Sequence, residues 1–225
     1  MAPADIRAQC ERRLATDPRD SVREHYFALM GQHRRLLPPG AITLDGFPPE
    51  ALVDVLRAGV TDVVPAVRER AIAAAYGLGK VKLVRDEVLA CLAHAHEGVR
   101  QYAIVALGLL DDAETLARLV ALLERGSQAE ATSAIWALAR RPDGLARALT
   151  LVTDTRPWVR FELLHAIADA AAPMTDAQIA ATTAAMAADD RVPRAIDHHL
   201  ERTRRGGREY GPDGGVFVVR SQGNS

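Results

Sequence analysis

Three groups of side chains in this sequence have the types and spacing to do chemistry. His94, His96 and Glu97 form the one compact set of metal-capable residues. A metal centre needs ligands converging from several elements, yet His96-Glu97 is the single His-Glu pair, and His198-His199 is not followed by an acid. The set therefore reads as the solvated end of a helix, and no metal is expected. Trp136, Trp158 and Asp154 supply aromatic faces and a carboxylate, the parts that would grip an extruded base and assist cleavage of its glycosidic bond. Cys91 sits between Leu89 and Leu92 on an apolar face and reads as a buried thiol; with Cys10 it has neither CxxC spacing nor a disulfide framework. No GxSxG, Walker A, HExxH or GxGxxG motif occurs, and no cofactor is expected.

The elements that must position these residues follow from composition. Hydrophobic residues make up 48% of the 225 but aromatics only 4%, so the core material is mostly Ala, Leu and Val, which suits close helix packing better than a sheet core. An all-α chain is expected. The 28 basic and 29 acidic residues nearly cancel, whereas a domain that holds a nucleic-acid backbone shows a basic excess or a basic face, so nucleic acid is not the favoured partner. The start, MAPADIRAQCERRLATD, is charged where a secretory signal needs an apolar run, and nowhere do 18 apolar residues follow one another. The expectation is a cytoplasmic protein with no membrane segment.

The chain also repeats itself. In EGVRQYAIVALG, Val99-Arg100 leads through Ala103, Ile104, Ala106 and Leu107 to Gly108. The same frame runs from Val22-Arg23 to Gly31 and from Val159-Arg160 to Ala168. Another copy, Glu130 to Ala139, keeps Ala134, Ile135, Ala137 and Leu138 without Val-Arg, and PAVRERAIAAAYG keeps Val67-Arg68 with one extra residue before Gly77. A weak sixth copy begins at Val192 and passes through Ala195, Ile196 and Leu200. The period is about 30 residues, as in stacked helical repeats. Second amphipathic stretches lie between the copies, with Leu116, Leu119, Val120 and Leu123 marking one helical face. Asp143 and Thr175 are placed to cap helices, and Gly79 to end one.

This pattern, D or P followed by x-V-R and then x-x-A-hydrophobic-x-A-L-G, resembles HEAT-like repeats of the kind named after the phycobilisome lyases. EGVRQYAIVALG and PAVRERAIAAAYG carry the likeness best, with DSVREHYFALMG and PWVRFELLHAIA behind them, over roughly Asp17 to Glu201. The resemblance implies a right-handed α-solenoid of about five helical hairpins, and a ladder of Arg23, Arg68, Arg100 and Arg160 between adjacent turns. It implies no single function, because scaffolds, lyases, metal-dependent hydroxylases and alkylpurine DNA glycosylases share that architecture. The glycosylase reading would rest on Trp136, Asp154 and Trp158; in the repeat frame, however, Trp136 takes the place of Val105 and His165, and both tryptophans also read as packing residues.

The repeat breaks in two places. Gly31 and Gly77 lie 46 residues apart, and the excess maps to an inserted loop over 36–50, LLPPGAITLDGFPPE, whose prolines and glycines exclude a helix. Its Ile42, Leu44 and Phe47 either pack back on the first hairpin or offer an apolar contact to a partner. The solenoid is expected over 1–204. Residues 205–225 read as a Gly-rich tail outside it, whose Val216 to Val219 is either unstructured, pairs with another protein's sheet edge, or docks on this chain's own groove. The function expected is non-enzymatic: a scaffold or adaptor binding a protein partner on a concave face lined by the second helices, with Arg85, Glu114, Arg118, Arg147 and Phe47 as contact residues.

Overall fold

The computed structural model describes residues 3–36, 49–141, 143–168, 170, 173–187 and 191–204. The loop expected over 36–50 is shorter: Leu36 closes one helix and Pro49 and Glu50 open the next, where proline is tolerated in a first turn, while 37–48 and the tail 205–225 lie outside the described residues. Among the described residues twelve α-helices follow one another: α1 (Pro3–Ala15), α2 (Asp20–Leu36), α3 (Pro49–Val60), α4 (Pro65–Gly77), α5 (Arg85–Ala90), α6 (Glu97–Leu107), α7 (Ala113–Arg125), α8 (Gln128–Arg140), α9 (Gly144–Leu149), α10 (Pro157–Ala168), α11 (Asp176–Ala185) and α12 (Arg191–Arg204). No strand occurs among the described residues. Short 3-10 turns at Val81–Val84, Cys91–Ala93 and Thr150–Thr153 extend α5 and α9.

The even-numbered helices form one row, α2 on α4, then α6, α8, α10 and α12, and the odd-numbered helices lie along a second row. This is an all-α solenoid. Every Val-Arg motif opens an even helix, and an inner even helix has neighbours on both sides plus an odd helix beneath. The apolar excess of EGVRQYAIVAL has that cause: Val99, Ala103, Ile104, Ala106 and Leu107 of α6 are all buried. The close pairing differs from the sequence reading by one helix. α7 packs far more on α8 than on α6, and α3 packs on α4, so an odd helix pairs with the even helix that follows it, except that α9 packs more on α8 than on α10. Among the described residues the helices alternate as six odd–even pairs, beside the five or so expected, and four of the even helices open with Val-Arg. The additional elements are α1, which precedes the first motif, and α3, which lies within the long interval before Gly77.

Each repeat arginine holds a carbonyl six residues before it. Arg23 Nη1 donates to the Asp17 carbonyl at 2.6 Å and Arg100 Nη1 to that of His94 at 2.9 Å; Arg68 and Arg160 donate in the same way to the carbonyls of Asp62 and Asp154. The guanidinium thus satisfies an orphan carbonyl of the turn while its own helix begins. The ladder implied by the resemblance is present at two of the four positions: Arg23 Nε reaches Asp62 at 2.6 Å, and Arg100 Nε reaches Glu130 at 2.8 Å, each in the following turn. Arg68 adds a bond to the Thr61 carbonyl of its own turn. Where α8 lacks Val-Arg, a capping box takes over, with Ser127 and Glu130 each accepting from the other's backbone N–H.

At the opposite edge of the stack, Arg141 is fully buried and donates to the carbonyls of Leu110 and Asp112 and, through Nε at 2.8 Å, to Asp143. That bond is why Asp143 makes no side-chain cap on α9, whereas Thr175 does cap α11 in a box with Gln178. Gly79, with φ of 64°, ends α4 as expected: its N–H meets Tyr76 O and the next N–H meets Ala75 O. Close approach sets another glycine. A Cβ added at Gly59 would lie 2.3 Å from Phe27 Cζ and 2.6 Å from Ala71 Cβ, both in the core.

Two stability changes follow. Gly59→Ala should cost about 1–3 kcal/mol, because the buried Phe27 ring has to leave its rotamer. Arg23→Met should cost about 3–5 kcal/mol by leaving nearly buried Asp62 without its cation. Chemical denaturation of each variant against the parent measures both, and a change under about 0.5 kcal/mol, the ordinary range for a surface substitution, would contradict the packing or the clasp.

Candidate functional site

A groove with the shape of a binding site lies on the odd-numbered row, between α7 and α9. Asp112 starts α7 by accepting from Thr115 N at 2.9 Å and from the Thr115 hydroxyl at 2.8 Å. The helix has two apolar stripes rather than one. Thr115, Leu119 and Leu123 are buried against α8 and the core. Ala113, Leu116, Ala117, Val120 and Ala121 recur at helical spacing on a neighbouring strip that faces the next odd helix. That helix, α9, has only six residues before it tightens into a 3-10 turn, so it cannot cover a 13-residue neighbour. An open apolar groove of about 350 Å³ results, with Glu124 at one end and Arg147 of α9 on the far rim. Leu116 and Val120 are half-buried in its floor, and the three alanines are exposed.

Of the contact residues expected from sequence, Arg147 reaches this groove. Arg85, Glu114 and Arg118 belong instead to an ion network beside it. Arg85 Nη2 donates to Asp112 at 3.1 Å and to Glu114 at 2.9 Å, and Arg118 Nη2 donates to the other Glu114 oxygen at 2.9 Å. This network ties α5 to the start of α7 and leaves these charges matched within the chain. Phe47 lies outside the described residues. The sequence reading placed Leu116 and Val120 on one helical face with Leu119 and Leu123; both pack against the core but stay partly exposed. The signal for a second stripe was present in the three alanines at matching spacing.

The residues with catalytic potential are each engaged within the fold, Asp154 and Trp158 by the same arginine. The Trp136 indole N–H donates to Glu162 at 3.2 Å. Asp154 accepts from the Arg156 backbone at 2.8 Å and from its Nε and Nη2 at 3.0 and 2.8 Å, and this arginine holds the carboxyl below its ordinary range. Trp158 packs under the same guanidinium, 5.2 Å from its ring centre. The Asp154–Arg156 pair rebuilds the Asp17–Arg19 turn of the first repeat, where Asp17 accepts from Arg19 N at 2.9 Å, so Asp154 has a structural counterpart elsewhere in the chain.

His94 accepts the His96 backbone N–H on Nδ1 at 3.0 Å, and His96 Nδ1 lies 3.0 Å from Glu69 of the preceding even helix. Glu97 opens α6 and is exposed. Among the described residues no three His, Cys, Asp or Glu side chains gather to hold a metal ion. Cys91 is buried as expected, its sulfur 3.7 Å from the Val60 carbonyl, and burial pushes the thiol pKa up. No helix among the described residues is long and apolar enough to cross a membrane.

The ion network beside the groove has a pH signature. Asp112 is held well below the ordinary carboxylate value, first by Arg85 and, against the opposing effect of burial, by the Thr115 N–H. A carboxyl depressed in the folded state contributes its stability in full above the unfolded value and loses it as pH falls toward the folded one. Asp112→Asn keeps the capping oxygen and removes the charge. Its melting temperature should fall less steeply than the parent's below about pH 4, as read by circular dichroism across the acid range. Parallel acid limbs would remove Asp112 as a contributor.

No protein-family model matches this sequence, and no curated protein matches it. Among solved structures, the chain is similar to a crystallised engineered protein at 18% identity, with 89% of this chain and 97% of that one covered and a TM-score of 0.49. It is also similar to a designed armadillo repeat protein at 18% identity, covering 86% and 98% with a TM-score of 0.49. A third likeness is to a computationally designed armadillo repeat protein for modular peptide recognition, at 17% identity, 86% and 98% coverage and a TM-score of 0.46.

Proposed function

We propose that this chain is a non-enzymatic binding module: a helical-repeat scaffold that takes an apolar peptide segment of a protein partner on the face of its odd-numbered helices. The observation that carries this reading is the second apolar stripe of α7. A helix on a solenoid surface needs one buried stripe, and α7 keeps another whose floor is Leu116 and Val120 and whose rims are Glu124 and Arg147. An apolar trough with one anion and one cation at its borders suits a peptide with apolar side chains and flanking charge. The fold supports the same reading, since stacked pairs provide extended surface. The matched ions of Arg85, Glu114 and Arg118 add a polar margin to the trough, and their main role is internal.

The test uses groove variants. Leu116→Asp with Val120→Asp should reduce capture of the partner, identified by cross-linking and mass spectrometry from the native host, by about tenfold or more. Helicity should stay near the parent's while the denaturation midpoint falls, because Leu116 and Val120 also pack against the core, so capture is compared at a temperature where the variant is folded. Undiminished capture by a folded variant would reject the groove as the binding face.

A further inference from the structure

The groove also has an occupant within reach in the chain itself. We infer that Val216-Phe217-Val218-Val219 docks along the Leu116–Val120 stripe of α7, so that the protein covers its own binding face until a partner displaces the tail. This inference rests on the reading of the groove as a peptide site and names its first ligand.

The topology brings the tail to the right edge. After α4, α6 and α8 the connection is short, so the C-terminal end of the even helix lies at the edge where the next odd helix begins, and the even helices stack alongside one another. The chain leaves α12 at Arg204 on that edge, and Ala113 of α7 and Gly144 of α9 start there too. The groove lies between the fourth and fifth pairs, and α12 belongs to the sixth. With helices about 10 Å apart, the distance along the stack is about 15 Å. Residues 205–215, six of them glycine or proline, span at most about 36 Å when extended. The linker therefore reaches the near end of the groove with slack to pass α11.

Length and charge then match along α7. Entering beside Ala113, an extended Val216 to Arg220 covers about 13 Å. From Leu116 to Glu124 the helix rises about 12 Å. With Val216 beside Leu116, Arg220 arrives beside the exposed Glu124 at the far end. Four consecutive apolar residues followed by a cation complement a floor of alanine, leucine and valine that ends in an anion. The linker also raises the local concentration of the segment, so modest intrinsic affinity suffices for occupancy.

Disulfide trapping in the full-length chain tests this directly. With Cys10→Ser removing the exposed native thiol and Cys91 left buried, Val218→Cys is paired either with Ala117→Cys in the groove or with Ala177→Cys on α11. Ala177 is exposed and lies nearer to Arg204 along the stack, so an undirected tail would favour it. Docking predicts that the Ala117 pair forms an intramolecular disulfide at least tenfold faster, and that adding Phe217→Asp removes the preference. Equal rates, faster reaction at Ala177, indifference to Phe217→Asp, or linkage only between chains would each overturn the inference, the last in favour of a second copy as occupant. The two readings separate cleanly. Loss of partner capture in the groove variant without preferential trapping leaves the peptide site and removes the tail. Preferential trapping with capture unchanged keeps the tail and removes the site as the partner's.

Discussion

An arginine in the first turn of four even helices donates to the carbonyl six residues earlier, and this clasp sets the relation of each odd helix to the even helix that follows. A helix end leaves carbonyls without partners, and a turn between two packed helices has little water to satisfy them. The guanidinium fills that need from the side. It fixes where the next helix begins, and therefore which of its residues face the neighbouring layer. Close contacts between layers depend on that register. Gly31 of α2 lies against the Ala74 backbone, and Gly108 at the end of α6 lies against the Ala137 carbonyl of α8. Small residues at these points let the helices approach and larger ones such as Ile104 and Leu107 fill the space between.

How much of this was legible in the sequence differs between the two rows. The even helices are buried on several sides, so their frame is dense and recurs from Val22 to Leu200. The odd helices bury one face against the stack, and two of them tighten into 3-10 turns, which weakens the helical period. α3 was hidden beside a proline- and glycine-rich insertion, and α1 is rich in charge and precedes the first motif. Arg141 was not legible at all: the partners that hold it are carbonyls of the previous repeat, Leu110 and Asp112, which no local pattern announces. Spacing did show that Leu116 and Val120 share a helical face with Leu119 and Leu123. It did not show that the face divides, because that depends on the length of α9, a different segment of the chain.

Charge follows the same division. The near balance of acids and bases is the sum of many local pairings rather than of two opposed surfaces. Arg85 spans Asp112 and Glu114, Arg100 finds Glu130, and Arg156 holds Asp154. Residues singled out for chemistry in the sequence thus have structural duties once folded: Asp154 shapes a turn, Trp136 bridges to Glu162, and His94 locks the backbone before α6. Beside the Arg85 network, the outer strip of α7 is apolar, with Glu124 and Arg147 at its borders.

Near the ends of the even helices, Arg140 of α8 donates to the hydroxyl of Tyr76 on α4 and sits 5.6 Å from its ring centre, with α6 between them in the row. Solenoids are usually described as a line of units in which each one senses only its immediate neighbours. Here a side chain joins first to third, and Arg141 beside it fastens the fourth pair to the loop of the third. The central layers are consequently coupled beyond nearest neighbours. Fraying from either terminus meets a block in the middle that opens together, a source of cooperativity separate from the strength of any one interface.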